Sequence, residues 1–427
     1  MRTKQTFIFT ALTMLSFCVS AEALKEKADP LIDLVQEKVV AWRRDIHEHP
    51  ELGNREFRTS ALIAEHLRGL GMEVSTGVGH TGVVGFLRGA ADKPVVALRA
   101  DMDGLPVTER VDLPFASKVK STYRGEEVGV MHACGHDNHV AILMGAAEVL
   151  ASMKDSIPGS IKFIFQPAEE GAPEGEEGGA DLMIEQGVLK DVDAIFGLHV
   201  GPAPLGTIGY RPGGFMASSD RFSITVKGKQ THGAVPWGGV DPIVVASQII
   251  LGLQTITSRQ LDVTLTPSII TVGKIQGGVR FNIIPDEVEM LGTIRTFDSA
   301  VRSDIHARIK KTAESIAAAS GASAIVEIVK GTPVTVNDPE LTNLMAPSLE
   351  AAAGAGKAGI VPRITPAEDF AYYQEQVPGL FFFLGVADPD DPTPASNHSP
   401  YFYADERALP VGVKAMTYLA LDYLSKE

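Results

Sequence analysis

Val95-Val96-Ala97-Leu98-Arg99-Ala100-Asp101-Met102-Asp103 is a run of four apolar residues that ends in an arginine and two acids. An apolar run this short, opening on β-branched residues, reads as a strand buried on both faces. The same form recurs at Val83–Leu87, Ile161–Phe165, Ala194–Leu198 and Leu380–Leu384. Helical stretches lie between several of these runs. Leu31, Leu34, Val35, Val39, Trp42 and Ile46 make one apolar stripe, Arg58–Leu70 is stopped by Gly71, and Val140–Met153 is a third helix. Strands alternating with helices predict an α/β fold: a mostly parallel sheet with helices on both faces.

The middle of the chain has a different texture. Ser218–Val226 alternates like a half-exposed strand, and a helix over Pro242–Ser258 follows it. Strands at Ser268–Ile275 and Glu287–Thr296, a helix over Ser299–Ser320 and a strand at Ser323–Val329 complete a β-α-β-β-α-β order. That order predicts a ferredoxin-like α+β domain. Because buried strands resume at Leu380, residues 215–330 are expected to be an insertion between two parts, 30–214 and 331–427, of one sheet domain.

Bulk properties exclude some functions. The formal charge is −15, and no cluster of Lys and Arg forms a basic patch, so nucleic acid is not an expected partner. Arg2 and Lys4 precede an apolar run, Phe7–Val19, and small residues at Ala21 and Ala23. This pattern predicts a signal peptide over residues 1–21 and a periplasmic or secreted protein, an uncleaved anchor being the other reading. The apolar run is short for a bilayer, and no other stretch suggests a membrane span. Cys18 would leave with the signal, so Cys134 becomes the only cysteine and no intrachain disulfide is expected.

In open parallel sheets, ligands bind beyond the carboxyl ends of the strands. Asp101 and Asp103 follow one predicted strand, Glu169-Glu170 another and His199 a third, while a loop after the fourth leads to His398. Cys134 and His136 lie just before the Val140 helix. Singly these are weak signals: a His at a strand end is usually structural, and a Glu-Glu pair is usually a solvated loop. Together they place thiolate, imidazole and carboxylate groups at one sheet edge, a donor set for zinc or manganese. So many ligands exceed one tetrahedral site and suggest two metals. Of two adjacent glutamates, one should bind metal and the other act as general base.

Several motifs carry a family resemblance: Leu98–Pro106, Met131-His-Ala-Cys-Gly-His-Asp137, Phe165-Gln-Pro-Ala-Glu-Glu-Gly171, Gly197-Leu-His199 and Asn397-His-Ser-Pro400. In this order the chain resembles the co-catalytic aminoacylase/carboxypeptidase metallopeptidases, in the amidohydrolase branch with hippurate and indole-acetyl-amino-acid hydrolases. The resemblance implies two divalent metal ions on Cys134, His136, Glu170, His199 and His398, with Glu169 as general base. Asp101 and Asp103 are expected to support the ligands from behind, and His132 and His139 to be structural. The insertion would be a lid and dimerisation domain. Its His232, in Thr231-His-Gly-Ala-Val-Pro236, would reach the other subunit's site of a homodimer to stabilise an oxyanion. Asn282 and Arg295 would contact the substrate carboxylate, Arg295 against the alternative of a surface salt bridge. The implied reaction is hydrolysis of small N-acyl or N-aroyl amino acids by a metal-activated water. A dipeptidase or carboxypeptidase of the same chemistry is the nearest alternative, and a non-catalytic metal- or ligand-binding protein the more distant one.

Overall fold

The computed structural model describes residues 20–426. The charged start and apolar run of the expected signal peptide, within residues 1–19, lie outside the described residues.

Helix α1 (Ala21–Glu48) begins where the Ser20 hydroxyl accepts the Ala23 N–H. The stripe from Leu31 to Ile46 is legible in sequence, but Ile32 takes the buried place in it while Leu34 faces out, and the helix starts well before Leu31. Pro30 forfeits one intrahelical bond, yet buried Leu24 and Ala28 extend the same stripe on the far side of it. Helix α2 (Phe57–Gly69) and strands β1 (Glu73–Val78), β2 (Gly82–Arg88) and β3 (Val95–Asp101) follow. Helix α3 (His136–Ser152) starts before Val140, so His136 and His139 belong to its first turn. Polar side chains in that turn hid the start, because they bond inward instead of facing water.

Strands β4 (Ser160–Gln166), β5 (Ala194–Pro204) and β6 (Ile208–Tyr210) come next, with helix α4 (Gly179–Glu185) between the first two. The middle region supplies β7 (Asp220–Lys227), α5 (Pro242–Arg259), β8 (Ser268–Gly277), β9 (Glu287–Thr296), α6 (Ser299–Ala319) and β10 (Ser323–Val329). The chain closes with α7 (Pro339–Ala353), β11 (Ala358–Ile360), α8 (Phe370–Gln374), β12 (Gly379–Ala387) and α9 (Leu409–Leu424).

The main sheet has the order β1-β2-β4-β3-β5-β12-β6-β11. Its centre, β4-β3-β5-β12, is parallel, and antiparallel pairs join the flanks to it. Alternation along β3 sends Val96 and Leu98 to a core under α1, α3 and α9, and Val95 and Ala97 to a second core under α4 and α8. Burial on both faces is what makes the strand sequences continuously apolar. Each fully buried Phe, such as Phe163, Phe165 or Phe196, contributes roughly 2–3 kcal/mol. The four middle strands form their own antiparallel sheet, β8-β9-β7-β10, with α5 and α6 packed on it around Phe222, Ile249, Met290 and Ile309.

Candidate metal centre

The carboxyl edge of the parallel strands collects the reactive side chains. Asp101 ends β3. Beyond β4 the chain turns at Ala168, whose φ of 52° is unusual for a residue with a side chain, and delivers Glu169 and Glu170. The buried Glu56 carboxylate holds this turn by accepting the Ala168 N–H at 2.9 Å. His199 lies within β5. Gly135 precedes α3 with φ of 96°, and a Cβ there would sit 2.4 Å from Val200 Cγ2. Only glycine makes both the turn and the close approach, and so sets Cys134 and His136 on either side of it. His398 arrives from the loop after β12, its N–H donated to Ala133 O at 2.8 Å.

The distances bring these groups together. Cys134 Sγ is 3.2 Å from His199 Nε2 and 3.2 Å from His398 Nε2. His398 Nε2 is 2.9 Å from Glu170 Oε1, and His136 Nε2 is 4.0 Å from Glu169 Oε2. Each of the trios Cys134-His136-His199, Cys134-Glu170-His398 and His136-Glu169-Glu170 has its ligand atoms within 4.8 Å of one another.

The surrounding hydrogen bonds orient the rings. His199 Nδ1–H donates to Val200 O at 2.7 Å, and His136 Nδ1–H donates to Asp103 Oδ1 at 3.2 Å. Both Nε2 atoms are thereby left facing the centre, as metal-binding histidines require. His136 Nε2 is buried without a hydrogen-bond partner. His139 has no such freedom: Nδ1 bonds Asp101 at 2.5 Å and Nε2 accepts the Val200 N–H at 2.9 Å. Asp101 is further held by Arg99 at 2.5 Å, and Asp103 Oδ2 accepts the Glu170 N–H at 3.0 Å. His132 is buried with neither ring nitrogen bonded, and burial lowers its pKa to about 4.

Charge accumulates here in one sense. Burial, then Glu170 and Glu169, pushes the Cys134 thiol well above its ordinary range. Burial, then Glu368 and Glu170, does the same to Glu169. Burial opposes charge on His136, but Asp101 and Asp103 outweigh it and raise the imidazolium to about 10. Retained protons compensate a negative cluster that a dication would otherwise neutralise. With sulfur, nitrogen and oxygen donors and an orphaned Nε2, these residues fit a divalent cation centre.

A second set of residues backs the first, and it leaves little trace in the sequence. Arg99, fully buried, donates to Asp101, to Asp369 Oδ1 at 2.8 Å and to Gln166 Oε1 at 2.8 Å, and pairs with Glu368 at 3.1 Å. The Asp369 N–H reaches Glu169 Oε1 at 3.4 Å. Burial outruns the attraction of Arg99 and raises Glu368 to about 8 and Asp369 to about 6. Glu368-Asp369 reads in sequence as one more solvated acidic pair. Only the apolar Phe370 and Ala371 after it hint at burial.

His232, Asn282 and Arg295 stand apart. His232 is exposed on a two-residue strand that pairs with Ile283–Ile284, and its Nδ1 accepts the Ala234 N–H at 3.0 Å. Asn282 Oδ1 has no partner, and Arg295 Nη1 is 3.5 Å from Ser218 O. None of the three lines the cavity that holds Cys134, Glu169, Glu170, His199 and His398.

A parallel α/β sheet whose carboxyl edge carries a thiolate–imidazole–carboxylate centre, with a buried carboxyl beside it, defines a metal-dependent hydrolase. The chain belongs to peptidase family M20/M25/M40, whose model matches residues 97–422. It is 43% identical to thermostable carboxypeptidase 1 of Saccharolobus solfataricus, over 94% of this chain and 100% of that protein. It is 42% identical to N-acetyl-L-cysteine deacetylase of Bacillus subtilis, over 93% and 90% respectively. A solved dinuclear metal-binding M20 peptidase from Bacillus subtilis superposes with a TM-score of 0.77 at 38% identity, covering 92% of this chain and 99% of that one. No helix among the described residues is long and apolar enough to cross a membrane.

Proposed function

We propose that the protein hydrolyses the amide bond of N-acyl or N-aroyl amino acids, releasing a carboxylic acid and the free amino acid. Cys134, His136, Glu170, His199 and His398 would hold two divalent ions, zinc or manganese, and Asp101 and Asp103 fix those ligands from behind. When bound, such ions polarise the scissile carbonyl and acidify water. The rest is done by the chain. Glu169 is the proton acceptor: its Oε1 is engaged by the Asp369 N–H, and its Oε2 faces His136 across 4.0 Å. It takes a proton from the attacking water and delivers it to the leaving amine as the C–N bond breaks. The observation that carries this reading is the Glu169 carboxylate, set beside the Cys134-His136-His199 and Cys134-Glu170-His398 trios and engaged by the Asp369 N–H.

Residues 215–330 act as lid and dimerisation domain in this reading, bringing His232 to the partner's site and Asn282 and Arg295 to the substrate carboxylate. Its exposed Trp237, Leu251 and Phe281, at 82%, 71% and 94%, supply apolar surface for a second copy. In the same reading the charged start and apolar run are an export signal, to the periplasm or outside the cell. Cleavage of peptides is the second reading, favoured by the 43% identity to a protein named as a carboxypeptidase.

Release of free amino acid from N-acetyl, N-benzoyl, N-indolylacetyl and dipeptide substrates tests both readings, after chelation and after zinc or manganese is restored. Glu169→Gln is expected to lower kcat by about 10²–10⁴-fold with metal stoichiometry unchanged. Full activity in that variant would sink the assignment.

A further inference from the structure

The cavity that holds Glu169 extends far beyond it. It encloses about 1230 Å³ and is walled by Ile208, Phe215, Met216, Val361, Ile364 and Phe383. Pockets for small ligands occupy roughly 300–1,000 Å³, so an acetylated amino acid would leave most of this space filled with water.

Arg363 lies in that apolar wall. Its Nε donates to Gly214 O at 3.1 Å, and its guanidinium lies 5.9 Å from the Phe297 ring centroid. Those two contacts orient the fork and leave both Nη groups free. No carboxylate among the described residues forms an ion pair with it. The acids that line the cavity are committed elsewhere: Glu170 to His398, Glu368 to Arg99, and Glu169 to the Asp369 N–H. An oriented, half-buried guanidinium among apolar side chains is a poor arrangement unless an anion meets it, and its fork suits a carboxylate.

The reading above gives the amino acid's own carboxylate to Asn282 and Arg295, which leaves Arg363 for a different anion. The amino acid's carboxylate lies two bonds from the scissile nitrogen and stays beside the metal centre. Arg363 is five residues upstream of Glu368, which allows it to stand as far as about 17 Å along the chain, with Val361 and Ile364 in the wall around it.

The geometry points to Arg363 as the anchor for a second carboxylate of the substrate, separated from the scissile amide by an apolar spacer. This rests on the acyl-amino-acid reading above. Two sources offer that chemistry, an acyl chain ending in a carboxylate and an acidic amino-acid side chain, and the test has an arm for each.

With metal-loaded, full-length protein, kcat/KM is measured for suberoyl-alanine against octanoyl-alanine, and for benzoyl-glutamate against benzoyl-leucine. In at least one arm the dicarboxylic member is expected to be favoured by about 10–100-fold, the range of a charged hydrogen-bonded pair. The same ratio should fall to near one in Arg363→Met and survive in part in Arg363→Lys. A ratio near one in both arms of the unaltered protein overturns the inference, and so does a preference that persists in Arg363→Met. Turnover of octanoyl-alanine or benzoyl-leucine without such a preference leaves the acyl-amino-acid reading standing. No turnover of any of the four, nor of the N-acetyl and N-indolylacetyl substrates, removes that reading itself.

Discussion

Glu56 offers a test that needs no substrate. Its side chain is fully buried, accepts the Thr81 hydroxyl at 2.5 Å on Oε2 and the Ala168 N–H at 2.9 Å on Oε1, and so braces the turn before Glu169. Burial, then the nearby charge of Asp103, raises its pKa from an ordinary 4.5 to about 7. A folded value above the unfolded one means that the folded chain binds this proton more tightly. The resulting stability is fully present below about pH 4.5 and is lost as pH rises through about 7. The gap is about 2.5 pH units, each worth about 1.4 kcal/mol, so roughly 3 kcal/mol of stability disappears across that window. Glu56→Gln keeps the shape, offers Oε1 to Ala168 and an amide to Thr81 Oγ1, and carries no charge to bury. Urea unfolding of both proteins, freed of metal, at pH 4.5 and pH 8.5 reads this group with its coupling to Asp103, because titrations elsewhere cancel in the difference. The variant should gain up to about 3 kcal/mol over the parent between those pH values. Parallel stability–pH curves for the two proteins would refute the reasoning.

Other outcomes follow from the same framework. Gly135→Ala forces a Cβ to 2.4 Å from Val200 Cγ2 at a φ of 96°, and should cost on the order of 2–3 kcal/mol in chemical denaturation and weaken metal uptake. Arg99→Met leaves Asp101, Glu368 and Asp369 buried without their shared cation, and should lower stability at neutral pH by about 3–5 kcal/mol, read from the denaturant midpoint. Chelation should abolish amino-acid release, and added zinc or manganese should restore it, as followed by the release assay. His232→Ala should leave the molecular mass in light scattering unchanged and lower kcat about 10²-fold, the scale of losing one oxyanion donor.

The parts of the architecture that repeat were readable in advance. Val95–Leu98, Ile161–Phe165 and Ala194–Leu198 are apolar on both faces because helices cover both sides of the sheet, and that leaves a continuous mark on the sequence. Cys134, His136, Glu169, Glu170, His199 and His398 stand out in the sequence as candidates because each follows a strand or precedes a helix, where chain geometry already limits their position. Short elements left no such mark: β6 and β11 are three residues each, too brief for any periodicity. Glu56 and Arg99 escaped for a different reason. Their importance comes from partners distant in sequence, Ala168 for one and Asp369 for the other, and no local pattern encodes a bond that closes across the fold. The start of α3 was misread because its polar first turn looks like a loop until Asp101 and Asp103 are seen to receive it.

The stretch from Val361 to Phe370 joins two kinds of constraint in ten residues of chain. Its later half is clamped: Glu368 and Asp369 share Arg99, Asp369 accepts the Ala180 N–H, and the Asp369 amide reaches Glu169 Oε1. Its earlier half is tied by backbone, Val361 to Tyr210 and Ile364 to Phe215, while its side chains line the cavity. A lineage drifting toward new substrates could therefore change the cavity-lining side chains of residues 361–366 on an unchanged backbone while the last few stay fixed. Selectivity would change like the bitting of a key, with the bow that turns the lock left untouched.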